Sequence, residues 1–227
     1  MERDSYLNLV NYLKKQKLDL YDWVFDEIGY FYNDKLTIKI VKNKWLNLQN
    51  SINSNNVLYI RNAGPNKEYL EIYKELGWNI KIDHCGNKQP KKTLGEITGY
   101  WINNQDFKYK EKYITGYTVS HIWGFTHNPL LFNCPWNICY IPSSMDPLTG
   151  HMTKSIIAKE EFKNRFLKSD YYKNFVKPFV KEYNLKYKEL RDKVIENINK
   201  CNISTKSKQL LKNEWQELTN DNIFENF

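Results

Sequence analysis

The sequence predicts a mixed α+β fold with a helical C-terminal part. Three observations carry that expectation. Apolar residues recur at helical spacing near the N-terminus and again from Ala158 onward. Short apolar runs parted by Gly, Asn and Pro turns fill the middle. A strand-helix-strand order occupies residues 57–84.

In chain order, residues 4–29 read as one amphipathic helix, with Leu7, Val10, Leu13, Leu18, Tyr21, Val24 and Ile28 on its apolar face. Lys35–Val41 alternates like a strand, and 51–56 (SINSNN) is a polar break. Residues 57–61 (VLYIR) read as a buried strand, 62–66 as a turn, 67–78 as a helix stopped by Gly77, and 79–84 as a second strand: a small α/β unit. Residues 86–92 (GNKQPKK) read as a Lys-rich loop. Residues 98–102 and 109–121 look extended, and 137–141 (NICYI) is a short strand. The remainder is helical, with Pro178 interrupting or kinking the middle helix. With no internal repeat or long linker, the chain divides into 1–110 (scaffold and DNA binding), 111–157 (catalytic core) and 158–227 (helical part), packed as one unit.

Composition narrows the functional classes. The chain has 227 residues, 41% of them hydrophobic and 15% aromatic, enough for a real core and against wholesale disorder. A net charge of +8 favours polyanionic partners, nucleic acid before anionic membrane. A compositional bias toward Lys and Asn yields the same charge with no partner, so charge alone selects nothing. No apolar run approaches the roughly 20 residues that span a bilayer, and the N-terminus lacks a signal-peptide core. Cys85, Cys134, Cys139 and Cys201 show no C-x-x-C spacing. The expectation is a cytoplasmic chain with reduced thiols and no membrane partner.

The chemistry concentrates between Tyr117 and His151, YTVSHIWGFTHNPLLFNCPWNICYIPSSMDPLTGH, which holds three of the four histidines. Hydrolysing a phosphodiester takes a base for water, a cation for the developing charge and a scaffold for both. His121 ends the strand YITGYTVS, and neutral imidazole can accept a proton from water near pH 7. Its other ring nitrogen needs an acceptor to fix the tautomer, and a carbonyl in the 122–136 loop can supply it. The Asn137 amide, just before the next strand, can clamp that loop. Beyond Pro142, Asp146 and His151 can face one phosphate. One carboxylate and one imidazole suit a single divalent ion, Mg²⁺ first, with Mn²⁺ or another in its place.

This order resembles the His-Me finger, or HNH, nuclease superfamily, over about 35 residues, and HIWG, PWN and TGH are similar to HNH-type type II restriction endonucleases in particular. The resemblance implies a ββα-metal core with His121 as general base, Asn137 as the central Asn followed by ICYIP (138–142), and His151 with Asp146 as metal ligands. Two features depart from the pattern. Many members carry Asp or His directly before the base, where this chain has Ser120, and the Asn137-to-His151 spacing is wide. Zinc-binding cysteine pairs are absent. The implied activity is metal-dependent DNA endonuclease, leaving 5′-phosphate and 3′-hydroxyl ends, with double-stranded DNA as partner and a homodimer cutting both strands. The alternative is a non-catalytic nucleic-acid-binding protein with a structural histidine cluster. A third reading is a metal hydrolase of another phosphate ester.

Blander roles compete at several positions. His121 can be a core histidine, and His151 can merely bond the Gly150 turn. Asp146 before Pro147 suits a helix cap as well as a metal. His127 is structural or touches substrate. Asp83, His84 and Cys85 are adjacent ligand types, but strand neighbours face opposite ways, so a strand end and turn is favoured over a second site. Phe132 and Trp136 read as hairpin core. Most of Tyr171, Tyr172, Tyr183 and Tyr187 also read as core. Lys88, Lys91, Lys92, Lys154 and His127 are the candidate DNA contacts.

Overall fold

The computed structural model describes residues 5–32, 35–102, 112–149 and 156–224. It is an α+β fold, and the N-terminal helical stretch is two helices: α1 (Ser5–Lys15) and α2 (Leu20–Tyr30). The apolar period runs through both, which is why they read as one. The break lies at Lys17, which takes a left-handed φ of 61°. Asp19 then caps α2, its carboxylate accepting from the Tyr21 and Asp22 amides at 2.9 and 3.2 Å.

The expected strand Lys35–Val41 is instead the start of a long helix, α3 (Lys35–Ser51). Thr37, Val41, Trp45 and Gln49 form its buried stripe, four residues apart. The alternation within LTIKIV is local, and the longer helical period overrides it.

Strands β1 (Leu58–Arg61) and β2 (Ile80–Asp83) pair in parallel, joined by α4 (Asn66–Glu75), as expected for the α/β unit. The Lys-rich stretch after β2 is not a loop throughout, because α5 (Lys88–Thr98) begins inside it. Buried Asp83 explains the early start: its carboxylate accepts from the amides of Cys85 at 3.1 Å and Gln89 at 2.9 Å. Pro90 falls in the first turn, where a missing N–H costs nothing. Asp83 thus serves as the cap of a turn.

Short strands β3 (Trp101–Ile102) and β4 (Tyr113–Ile114) pair in parallel. Strands β5 (Tyr117–His121) and β6 (Ile138–Pro142) form an antiparallel ladder with His121 opposite Ile138 and Ser120 opposite Cys139. A 3-10 turn at Asp146–Thr149 follows. Helix α6 (Ile156–Lys168) leads into a π-helical segment at Tyr171–Val176, then α7 (Lys177–Lys186), α8 (Lys188–Lys200) and α9 (Thr205–Asn213). Pro178 sits in the first turn of α7, where the π register gives way to α.

All five residues of β6 are buried. Helices α2 and α5 pack against it, and Phe31 meets Tyr140 edge-on at 5.2 Å. Trp136 lies among Trp45, Phe179 and Tyr183, so α3 and α7 cover the same hairpin. One hydrophobic core runs from Val10 to Phe224 and includes Tyr171, Tyr172, Tyr183 and Tyr187, and Phe132 is fully buried as well. Among the described residues no helix is long and apolar enough to cross a membrane.

Candidate active site

The β5–β6 ladder is closed by residues 122–137, a connection without regular secondary structure that is nonetheless largely buried. A buried loop must bond its own polar groups, and here side chains do that work. Asn137, fully buried, accepts from the Trp123 amide at 3.0 Å and donates to the Leu131 carbonyl at 3.0 Å. Asn128, also fully buried, accepts from the Leu130 amide and donates to the Tyr183 hydroxyl and the Glu214 carbonyl. The C-terminal segment closes the far side. Trp123 donates its indole N–H to the Thr219 carbonyl at 3.0 Å, and the Phe224 amide donates to the Ile122 carbonyl at 2.7 Å.

This loop holds His121. The His121 Nε2 lies 2.8 Å from the Phe132 carbonyl, and the two rings stack with centroids 5.5 Å apart and planes 13° from parallel. A carbonyl only accepts, so Nε2 carries the proton and, in neutral imidazole, Nδ1 is the basic nitrogen. The ring stands half-buried at the end of β5.

Ser120, the residue before it, is buried, and its hydroxyl has no hydrogen-bond partner among the described residues. Its ladder partner Cys139 has a thiol pushed up to about 12, by burial first and then by the nearby Asp146 carboxylate. Asp146 is half-buried at the start of the 3-10 turn, which packs against β5. Ser120, Cys139 and Asp146 thus share one end of the hairpin with His121. Ser120 and Asp146 carry hard oxygen donors of the kind Mg²⁺ takes, whereas the Cys139 thiol is buried and neutral. As a strand neighbour, Ser120 faces the opposite side of the ladder from His121. Among the described residues, no three His, Cys, Asp or Glu side chains group closely enough to hold a metal. His151 and Lys154 lie outside the described residues.

Of the expected DNA contacts, Lys88 and Lys91 are half-buried and Lys92 is exposed, all on the first turns of α5. Helix α5 is tied to the loop by the Thr93 hydroxyl, which donates to Asn133 Oδ1 at 2.7 Å, one residue from Phe132. His127 is turned inward instead of toward DNA. Its Nδ1 is 2.9 Å from the Glu214 carboxylate, its Nε2 is 2.7 Å from the Ala63 carbonyl, and Tyr69 meets the ring edge-on. Both ring nitrogens lie against protein oxygens, so neither is left for a phosphate. Sequence reasoning missed Glu214, 87 residues away, and the Asn128 bridge. No local spacing announces either.

A family model described as "Uncharacterised protein PM1201" matches residues 36–227. The chain belongs to that family. Within the PM1201 family, it is 30% identical over 226 residues to "Uncharacterized protein PM1201" of Pasteurella multocida (strain Pm70), covering 96% of this chain and 95% of that one. The family match begins inside α3 and takes in the hairpin, its loop and the helices that hold it. No solved structure matches the chain.

Proposed function

We propose that this protein is a metal-dependent endonuclease acting on double-stranded DNA, with an HNH-like centre built on the β5–β6 hairpin. The observation that carries the reading is the fixing of His121: Phe132 holds Nε2, and Asn137 braces the loop at Trp123 and at Leu131, the residue before Phe132. That is how a general base is aimed, with its other nitrogen bonded and its scaffold satisfied. The order of ladder, turn and helix α6 is compatible with a ββα-metal core, although the helices packed directly on β6 are α2 and α5.

In this reading His121 Nδ1 takes a proton from water, the oxygen attacks phosphorus, and the bond to the 3′ oxygen breaks as that oxygen takes up a proton from solvent. The ends are a 5′ phosphate and a 3′ hydroxyl. Asp146 and His151 would hold the ion. A divalent ion there, when bound, supplies positive charge opposite the phosphate and the leaving oxygen. Lys88, Lys91 and Lys92 bring cations to the flank of the same loop, where they suit backbone phosphates. Sequence-specific cutting of both strands, as in type II restriction enzymes, would take a pair of chains.

The test is incubation of unmethylated plasmid and phage DNA with Mg²⁺ or Mn²⁺, with and without EDTA. Cutting that EDTA stops, with 5′-phosphate ends that ligase rejoins, is expected. Binding without cutting on several DNAs would leave the non-catalytic binding protein as the better account.

A further inference from the structure

Beside the His121 loop lies a second, smaller feature. A cavity of about 220 Å³ opens between α3, β1 and α5, lined by Lys44, Asn47, Tyr59, Thr93 and Asn133 around an aliphatic floor that includes Leu48. Its size is below the roughly 300–1,000 Å³ of sites for drug-sized ligands, so it suits one ring system and not a whole nucleotide cofactor.

Its chemistry is neutral and amide-rich. Lys44 is the cation of the lining, and it is already paired with Glu96, so the cavity has no spare charge for a phosphate. Asn133 turns its oxygen to Thr93, which leaves its NH₂ without a partner among the described residues. Tyr59 is half-buried and its hydroxyl makes no hydrogen bond among the described residues. Asn47 is exposed at the mouth. The Asn47 carboxamide offers a donor beside an acceptor, and Asn133 adds its NH₂ donor, a set that suits the edge of a base such as adenine. A tyrosine ring adds a face on which a base can stack.

Position supplies the rest. Asn133 follows Phe132, whose carbonyl fixes His121, so the cavity adjoins the loop that carries the proposed base. We propose that this cavity receives a single nucleobase, adenine first, swung out of the bound strand next to the scissile phosphate. The inference rests on the nuclease reading for its polymer, and the cavity itself selects a neutral planar heterocycle.

The experiment uses the full chain carrying His121→Ala, in EDTA, so that DNA is bound and not cut. Duplexes and single strands carry 2-aminopurine for adenine, or pyrrolocytosine for cytosine, at one position each. Emission should rise several-fold at one or two positions. That rise should vanish, and binding should weaken about tenfold, with Asn47→Trp, which blocks the mouth from an exposed site, and with Tyr59→Ala. A matched melting temperature for Asn47→Trp keeps the test fair should Tyr59→Ala fold poorly. DNA bound with no rise at any position, a rise untouched by Asn47→Trp, or no DNA binding at all would overturn the proposal. Plasmid cutting by the otherwise wild-type chain separates the two claims. Cutting left unchanged by the cavity variants sinks the cavity alone, whereas a base-dependent rise in a chain that never cuts sinks the nuclease and leaves the cavity.

Discussion

Asn137 shows how much one side chain can hold. Replacing it by Ala strands the Trp123 amide and the Leu131 carbonyl in a dry interior, at roughly 1–3 kcal/mol for each unsatisfied group. Asn137→Ala is therefore expected to lower unfolding free energy by about 3 kcal/mol in urea. Asn137→Asp should recover only part, because it accepts from Trp123 but cannot donate to Leu131. A loss below about 0.5 kcal/mol would remove the clamp role. The cysteines give a second test at this scale. Burial raises the Cys134 thiol, brings Cys139 to about 12 and Cys201 to about 11, whereas Cys85 is exposed. One fast-reacting thiol in the native protein and four after denaturation are expected in a disulfide-exchange titration. Because these thiols stay neutral to higher pH in the fold than in the unfolded chain, their contribution is complete below the ordinary value of 9.0. It is lost as pH rises through about 12 at Cys139. Alkaline melts should show stability flat up to pH 9 and falling above it.

Among the elements, the loop 122–137 and helix α5 are coupled. His127 fastens the loop to the C-terminal segment through Glu214 and to the β1–α4 connection through Ala63. His127→Phe keeps a ring against Tyr69 but leaves the half-hidden Glu214 carboxylate, among the described residues, with only the backbone amide of residue 127. A loss of about 2 kcal/mol is expected in urea unfolding, and an unchanged midpoint would show that the pair is ornamental. Helix α5 meets β3 at Gly95, where a Cβ would sit 2.4 Å from the Trp101 ring. Gly95→Ala must displace that ring or the helix, costing about 1–3 kcal/mol. Tolerance of Ala with no shift in melting temperature would contradict the packing. Periodicity read α4, β1, β2, β5 and β6 because each is short, bounded by turn residues and regular. It failed at α3, where seven alternating residues hid a stripe of four-residue spacing, and at α1–α2, where the period ran through a capped break. In the site, the roles expected of His121 and Asn137 rested on strand ends and local order, so a carbonyl partner could be foreseen. Glu214, Asn128 and Thr93 act across the fold, and only packing brings them to the loop.

For the whole molecule, the aromatic core joins the three stretches that the sequence separates. Trp136 of the hairpin loop lies against Trp45 of α3 and Phe179 of α7, and Tyr32 donates to the Ile138 carbonyl of β6 at 3.0 Å. If His121 is the proposed base, its removal from so well-held a hairpin should slow the chemistry without losing the fold. The direct measurement is single-turnover cleavage of plasmid in Mg²⁺ by wild type and His121→Ala at equal folded concentration, with binding measured in parallel in EDTA. The account predicts cleavage slowed by about 10²–10⁴-fold with DNA affinity retained. Equal rates in the two proteins would contradict it, and His121 would not be the base.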